Sequence, residues 1–196
     1  MSIKLNIIDT NIKLETTRLT LRKPEPDDVD DIFEYAKDPE VARFTRFQPQ
    51  KTSQETKMFL QVTKQKHQNK TALVLVIELK AEKKVIGTIS FQNISELDER
   101  AEIGFVLSKK YWSKGLMSEA FQAFLEFGFK KIRFNRLEAF SDIENYRSSN
   151  LLKDIMQKEG LLREREKKDN RFCSFNIFSI LKKDYIFKRS LKKPLA

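Results

Sequence analysis

Residues 101–120 read Ala101-Glu102-Ile103-Gly104-Phe105-Val106-Leu107-Ser108-Lys109-Lys110-Tyr111-Trp112-Ser113-Lys114-Gly115-Leu116-Met117-Ser118-Glu119-Ala120. A strand-like run ends in a basic turn, and the turn opens at once into a helix. The helix carries Leu116, Met117, Ala120, Phe121, Phe124, Leu125 and Phe127 three or four apart, which predicts one broad buried face up to about Phe129. A helix amino terminus presents unpaired backbone N–H groups and the positive end of its dipole. Ser113, Gly115 and Ser118 are small enough for an anion to approach that backbone, and Lys109, Lys110 and Lys114 add steering charge. A phosphate site fits these residues; an ordinary basic surface turn fits them equally well. The chain contains neither GxxxxGK[ST] nor GxGxxG, so no nucleotide hydrolase is indicated.

Upstream, Arg18 to Arg22 alternates polar and apolar residues and stops at Pro24, which predicts a first strand. Pro26 to Lys37 opens with proline and acids and predicts a helix. Thr52 and Glu55 form a capping-box pair ahead of a second helix, with Met58, Phe59 and Val62 as its expected apolar face and an end near Lys66. Leu73 to Leu79, Val85 to Phe91 and Ala101 to Leu107 are strands spaced closely enough for an antiparallel meander. Downstream, Arg136 to Phe140 is a short strand. A helix starts near Asn145, buries Leu151, Leu152 and Ile155, and ends at Gly160. Leu161 to Lys167 and Phe172 to Leu181 make a closing hairpin. The expected order is β-α-α-β-β-β-α-β-α-β-β.

A chain of 196 residues without repeats or linker-like segments predicts one domain over 1–196, with a core from about 14 to 186. No apolar run approaches the roughly 20 residues that span a bilayer, and no secretory leader is expected, so a cytoplasmic protein without membrane contact is predicted. The single cysteine, Cys173, suits a reducing compartment and a small buried side chain, and no metal site is expected. His67 lies in a polar stretch and is expected at the solvated surface. The net charge of +10 permits a nucleic-acid partner, yet half of it falls in residues 182–196, where Lys182, Lys183, Lys188, Arg189, Lys192 and Lys193 face Asp184 alone. A solvated basic tail, about 187–196, is the simpler expectation.

The 101–120 stretch resembles the acetyl-CoA motif of the GNAT acetyltransferases, in particular the RimJ/RimL pattern of E-I-G-aromatic-x-apolar, then Tyr-Trp-x-Lys-Gly, then Ser-Glu-Ala. Leu14 to Arg22 with Asp38-Pro39-Glu40-Val41 resembles that family's opening, and Asn145-x-x-Ser148, Glu159 to Glu164 and Phe178 to Leu181 resemble its later segments. The superfamily's looser pattern, Arg/Gln-x-x-Gly-x-Gly/Ala, falls on residues 112–117 with its first and last positions different.

The resemblance implies a three-layer α/β/α fold with a mixed, mostly antiparallel sheet. It also implies an enzyme that moves the acetyl group of acetyl-CoA directly to a primary amine, either a protein amino terminus or a small molecule. The backbone of Phe105, Val106 and Leu107 would pair with the pantetheine arm. The loop of Trp112, Ser113, Lys114, Gly115, Leu116, Met117 and Ser118 would hold the pyrophosphate, and Asn145 would bond to the arm. Glu102 would accept the amine's proton and Ser148 would protonate the departing thiolate. Each has a plainer reading, with Glu102 an exposed strand carboxylate, Asn145 a helix cap and Ser148 a first-turn residue. Acceptor pockets in the family draw on residues 26–66 and the final hairpin, and a homodimer is left open. The alternative is a GNAT-fold protein without activity that binds nucleic acid or the ribosome.

Overall fold

The computed structural model describes residues 3–9 and 11–190. Its eight strands form one sheet in the order β1-β2-β3-β4-β5-β6-β8-β7. They are β1 (Lys13–Glu15), β2 (Leu19–Arg22), β3 (Leu73–Leu79), β4 (Lys84–Ser95), β5 (Arg100–Leu107), β6 (Arg136–Asp142), β7 (Gln157–Lys168) and β8 (Arg171–Leu181). The helices are α1 (Val29–Ala36), α2 (Pro39–Ala42), α3 (Ser53–Gln68), α4 (Leu116–Phe127), α5 (Tyr146–Ile155) and α6 (Lys182–Ser190). Every strand pair is antiparallel except β5 with β6, which α4 joins as a crossover. The mixed, mostly antiparallel sheet and its helical layers are as the sequence predicts. The short β1 and α2 and the terminal α6 are additions.

Strand alternation separates the two faces. Leu73, Leu75 and Ile77 join Ile103, Leu137 and the apolar stripe of α4 in the larger core, whereas Val76 and Val85 turn the other way against Ile32, Tyr35 and Ala36 of α1. Expectations for two helices change on this frame. Met58 and Val62 are 56% and 46% exposed, so the buried side of α3 is instead Thr56, Thr63 and His67, with Phe59 and Leu60 packed partly under it. The helix from Asn145 stops at Ile155 because β7 begins at Gln157, two residues later. Beyond β8 the chain continues as α6, in which buried Tyr185 stacks its ring on Phe129 with centroids 5.1 Å apart. Residues 191–196 of the expected tail lie outside the described residues.

His67 is the clearest reversal. It is 9% exposed, its Nε2 accepts the Val74 N–H at 2.9 Å, and burial, helped by the charge of Lys23, holds its pKa down to about 4. The unfolded chain, with a value near 6.5, therefore takes up the proton first. Stability from this residue is complete above about pH 6.5 and is lost as pH falls toward 4, on the order of 2 kcal/mol. Urea midpoints of His67→Gln, which keeps an acceptor that does not titrate, should fall less than the wild-type values between pH 6.5 and 4. Parallel acid limbs would show that His67 carries no pH-dependent stability.

The feature that positions the site is a break in the sheet. The parallel pair β5–β6 is hydrogen-bonded only through Arg100↔Arg136, Ala101↔Leu137 and Glu102↔Glu138. Beyond it, β5 stays on β4 as far as Gly87↔Leu107, and β6 stays on β8 as far as Asp142↔Phe175. A wedge opens between them, and the backbone groups on its inner edges have no strand to meet. No helix among the described residues is long and apolar enough to cross a membrane.

Candidate active site

The wedge is the floor of a cleft of about 1190 Å³. Glu102, Phe105, Val106, Leu107, Trp112, Ser113, Gly115, Leu116, Met117, Ser118, Asn145 and Ser148 all line it. Residues from three separate stretches of sequence are thus brought to one place. Lys114 does not line it. Its ammonium sits over the Tyr111 ring, 5.3 Å from the centroid, and its carbonyl accepts from Arg18 Nη1 at 3.0 Å.

At one end of the cleft, the chain enters α4 through two left-handed residues, Ser113 (φ 59°) and Gly115 (φ 72°). Gly115 is the N-cap and has no side chain to donate to, so no side chain caps the first turn of α4. Its leading N–H groups keep their hydrogen-bonding capacity for a ligand in the cleft. The loop is held from behind by Arg18. Its backbone N–H and Nε bond the two Glu119 carboxylate oxygens at 2.8 and 2.6 Å, while Thr16 Oγ1 donates to Oε1 at 2.6 Å. Burial works against that carboxylate's charge, but these bonds outweigh it and keep its pKa below the ordinary range. Trp112 is a packing residue as well as a lining one. Its Nε1 donates to the Leu107 carbonyl at 2.8 Å, and the Arg147 guanidinium lies 4.6 Å over its ring.

At the other end, Glu102 is 8% exposed, not the exposed strand carboxylate of the plainer reading. A register shift between Gln92 and Ser95 turns Asn93 toward it, so Oε2 accepts Asn93 Nδ2 at 2.7 Å and Oε1 accepts Gln92 Nε2 at 3.1 Å. Glu102 forms no ion pair among the described residues. Gly104 keeps the floor beside it open, since a Cβ there would stand 3.0 Å from Gln92 Nε2 and 3.1 Å from Ser90 Oγ. A buried carboxylate without a cation favours a ligand that brings one.

Asn145 caps α5, its Oδ1 accepting the Ser148 N–H at 3.1 Å. The cap uses only the amide oxygen, so the Asn145 NH₂ and the Ser148 hydroxyl keep their donors on the cleft side. The acidic run 27–31 does not reach the cleft: Asp28 pairs with Arg22 at 2.7 Å and Asp31 accepts the Val85 N–H at 2.8 Å. Cys173 is buried on β8 and borders the cleft. Sequence reasoning missed Arg147 and Asp142, which carry no motif, while the 43–47 and 166–169 segments of the lining fall in residues 26–66 and the final hairpin, the stretches expected to supply an acceptor pocket.

Residues 18–155 match the family model described as Acetyltransferase (GNAT) domain. The chain is 38% identical over 173 residues to the uncharacterized N-acetyltransferase p20 of Bacillus licheniformis, covering 88% of this chain and 97% of that one. Among solved structures it is similar to the GNAT-family acetyltransferase from Bacillus anthracis, with 28% identity, a TM-score of 0.78 and coverage of 88% and 99%. It also shares its fold with the microcin C7 self-immunity acetyltransferase MccE, solved in complex with acetyl-CoA and AMP, at 22% identity, a TM-score of 0.76 and coverage of 85% and 93%. The alternative of an inactive nucleic-acid binder finds no support in these likenesses. An edge-open wedge, an uncapped helix start and a buried carboxylate in one cleft accord with them, and the chain belongs to the GNAT acetyltransferase family, enzymes that transfer acetyl groups to amines.

Proposed function

We propose that this protein is a RimJ/RimL-type N-acetyltransferase that binds acetyl-CoA along the wedge between β5 and β6 and acetylates a primary amine delivered to Glu102. It would work in the cytoplasm as one catalytic domain over about residues 14–186. The observation that carries the reading is the wedge itself. The inner edge of residues 103–107 offers strand-like N–H and C=O groups to a partner shaped like an extended chain, as the amide-containing pantetheine arm is. The uncapped start of α4 lies at one end of that edge for the pyrophosphate, and Glu102 at the other for the amine. The branch assignment rests on Tyr111-Trp112-Ser113-Lys114-Gly115 followed by Ser118-Glu119-Ala120.

In the proposed reaction Glu102 takes the ammonium proton, directly or through water, and the neutral amine attacks the thioester carbonyl. The C–N bond forms as the carbonyl electrons move onto oxygen, where a backbone N–H near Val106 meets the negative charge. Collapse breaks the C–S bond; Ser148 supplies the proton to the departing thiolate and regains one, through water, from the nitrogen as the amide forms. The Asn145 NH₂ holds the arm. No covalent enzyme intermediate is needed.

Calorimetry with acetyl-CoA and desulfo-CoA tests the binding part. Micromolar affinity for both supports it, and no heat at millimolar ligand would remove the enzyme reading. Ser148→Ala should lower turnover about tenfold to a hundredfold while leaving the acetyl-CoA dissociation constant within about twofold. Turnover equal to wild type would take Ser148 out of the reaction. Peptides with free Ser or Ala amino termini and simple primary amines are the first acceptors to screen.

A further inference from the structure

The uncapped start of α4 presents its N–H groups to the cleft only while one peptide plane keeps its orientation. The Gly115 N–H belongs to the same peptide as the Lys114 carbonyl, and in a trans peptide the two point in opposite directions. Arg18 takes that carbonyl, its Nη1 donating to Lys114 O at 3.0 Å. Gly115 lines the cleft, whereas Thr16, Arg18 and Glu119 stand outside it. With the carbonyl drawn to the Arg18 side, the Gly115 N–H is turned to the cleft side. The N–H groups of Gly115, Leu116, Met117 and Ser118 meet no acceptor among the described residues.

That orientation has to be held, because the loop's own covalent structure does not enforce it. A flip of the Lys114–Gly115 peptide changes only ψ of Lys114 and φ of Gly115, and glycine accepts either sign of φ. The left-handed value of 72° is one of its two choices. After a flip the Lys114 carbonyl, the negative end of a dipole, would face the cleft in place of an N–H. The guanidinium that prevents this is aimed by Glu119 in the first turn of α4, whose Oε2 accepts Arg18 Nε at 2.6 Å. Glu119 Oε1 is held in turn by the Arg18 N–H and by Thr16 Oγ1, at 2.8 and 2.6 Å. One planar fork therefore joins the helix to the carbonyl that precedes it. The same fork keeps the Glu119 carboxylate on the side away from the cleft, where it opposes an incoming anion least.

We propose that Arg18 is a positioning residue for the cofactor: without touching it, the guanidinium sets the Lys114–Gly115 peptide so that the loop can receive the pyrophosphate of acetyl-CoA. The inference rests on the acetyltransferase reading for its ligand. A native probe is at hand, since Trp112 is the chain's single tryptophan and lines the cleft beside the loop. Its fluorescence reports binding with no acceptor amine present.

Acetyl-CoA, S-acetylpantetheine, which lacks the phosphates, and inorganic pyrophosphate would be titrated into wild type, Arg18→Gln, Arg18→Lys and the double variant Arg18→Gln/Glu119→Gln. If loss of the fork leaves about a tenth of the molecules with the N–H facing the cleft, the acetyl-CoA dissociation constant of Arg18→Gln rises about tenfold, and that of S-acetylpantetheine changes less than about twofold. Arg18→Lys keeps the charge but cannot reach Glu119 and the carbonyl with one planar group, so it should lose nearly as much. The double variant should not recover, because the peptide and not an unanswered carboxylate is at fault. An acetyl-CoA constant within about twofold of wild type in Arg18→Gln, equal losses for acetyl-CoA and S-acetylpantetheine, or recovery in the double variant would each overturn the assignment. Pyrophosphate keeps the two ideas apart. Wild type that binds pyrophosphate but not acetyl-CoA refutes the acetyltransferase reading and leaves Arg18 to be judged by the pyrophosphate constants, whereas wild type that binds acetyl-CoA no better than Arg18→Gln refutes the positioning role alone. Binding of neither refutes both.

Discussion

Glu102→Gln is expected to lower kcat by about 10²–10⁴, the range over which a positioned proton acceptor contributes. The substitution keeps the size and shape of a side chain that is 8% exposed and already ringed by amides. It removes the basicity. It also sets an amide NH₂ against two donors, Gln92 Nε2 and Asn93 Nδ2, and those two side chains can reorient to meet it. The readout that discriminates is the division between constants. A proton acceptor needed in the transition state lowers kcat and kcat/KM together, with acetyl-CoA affinity unchanged. A carboxylate that only holds the ammonium raises acceptor KM and leaves kcat alone. The second pattern would reassign Glu102 to binding and make a water chain the acceptor of the proton.

How far the sequence could be read follows from what each signal depends on. The 101–120 stretch was legible because strand, turn and helix start are local events. Apolar spacing marks α4, and Gly115 occupies a left-handed N-cap that glycine adopts most easily. The residues singled out in that stretch accordingly line one cleft, with Lys114 the exception. His67 was misread because its neighbours in sequence are polar. Its burial comes from β3, whose Val74 N–H it accepts, and that partner is invisible to a window around residue 67. The same holds for α3, where threonines face inward at a helical spacing that a search for apolar stripes passes over. Lys168 is the extreme case. Lys168 in a basic turn has no local signature, and its meaning lies in three carbonyls more than 120 residues upstream.

Phe91→Ala is expected to cost about 3–5 kcal/mol of stability, a large part of the roughly 5–15 kcal/mol that holds a domain of this size. Phe91 is fully buried on β4, its ring stacked on Phe124 of α4 with centroids 3.9 Å apart and set edge-on to Phe134 at 5.1 Å. The ring tip also occupies the space that Gly128 leaves. A Cβ at 128 would stand 2.8 Å from Phe91 Cζ. Truncation thus removes transfer energy, two aromatic contacts and the filling of a gap bounded by a glycine, which has no side chain to move into the void. Collapse is hindered, and that places the cost toward the upper part of the range. The urea midpoint should fall with the slope unchanged. Phe91→Leu, which keeps most of the volume, should lose clearly less. A loss under about 1 kcal/mol for Phe91→Ala would mean that α4 resettles on β4, and that the uncapped helix start facing the cleft is held by the Arg18–Glu119 contacts more than by this aromatic packing.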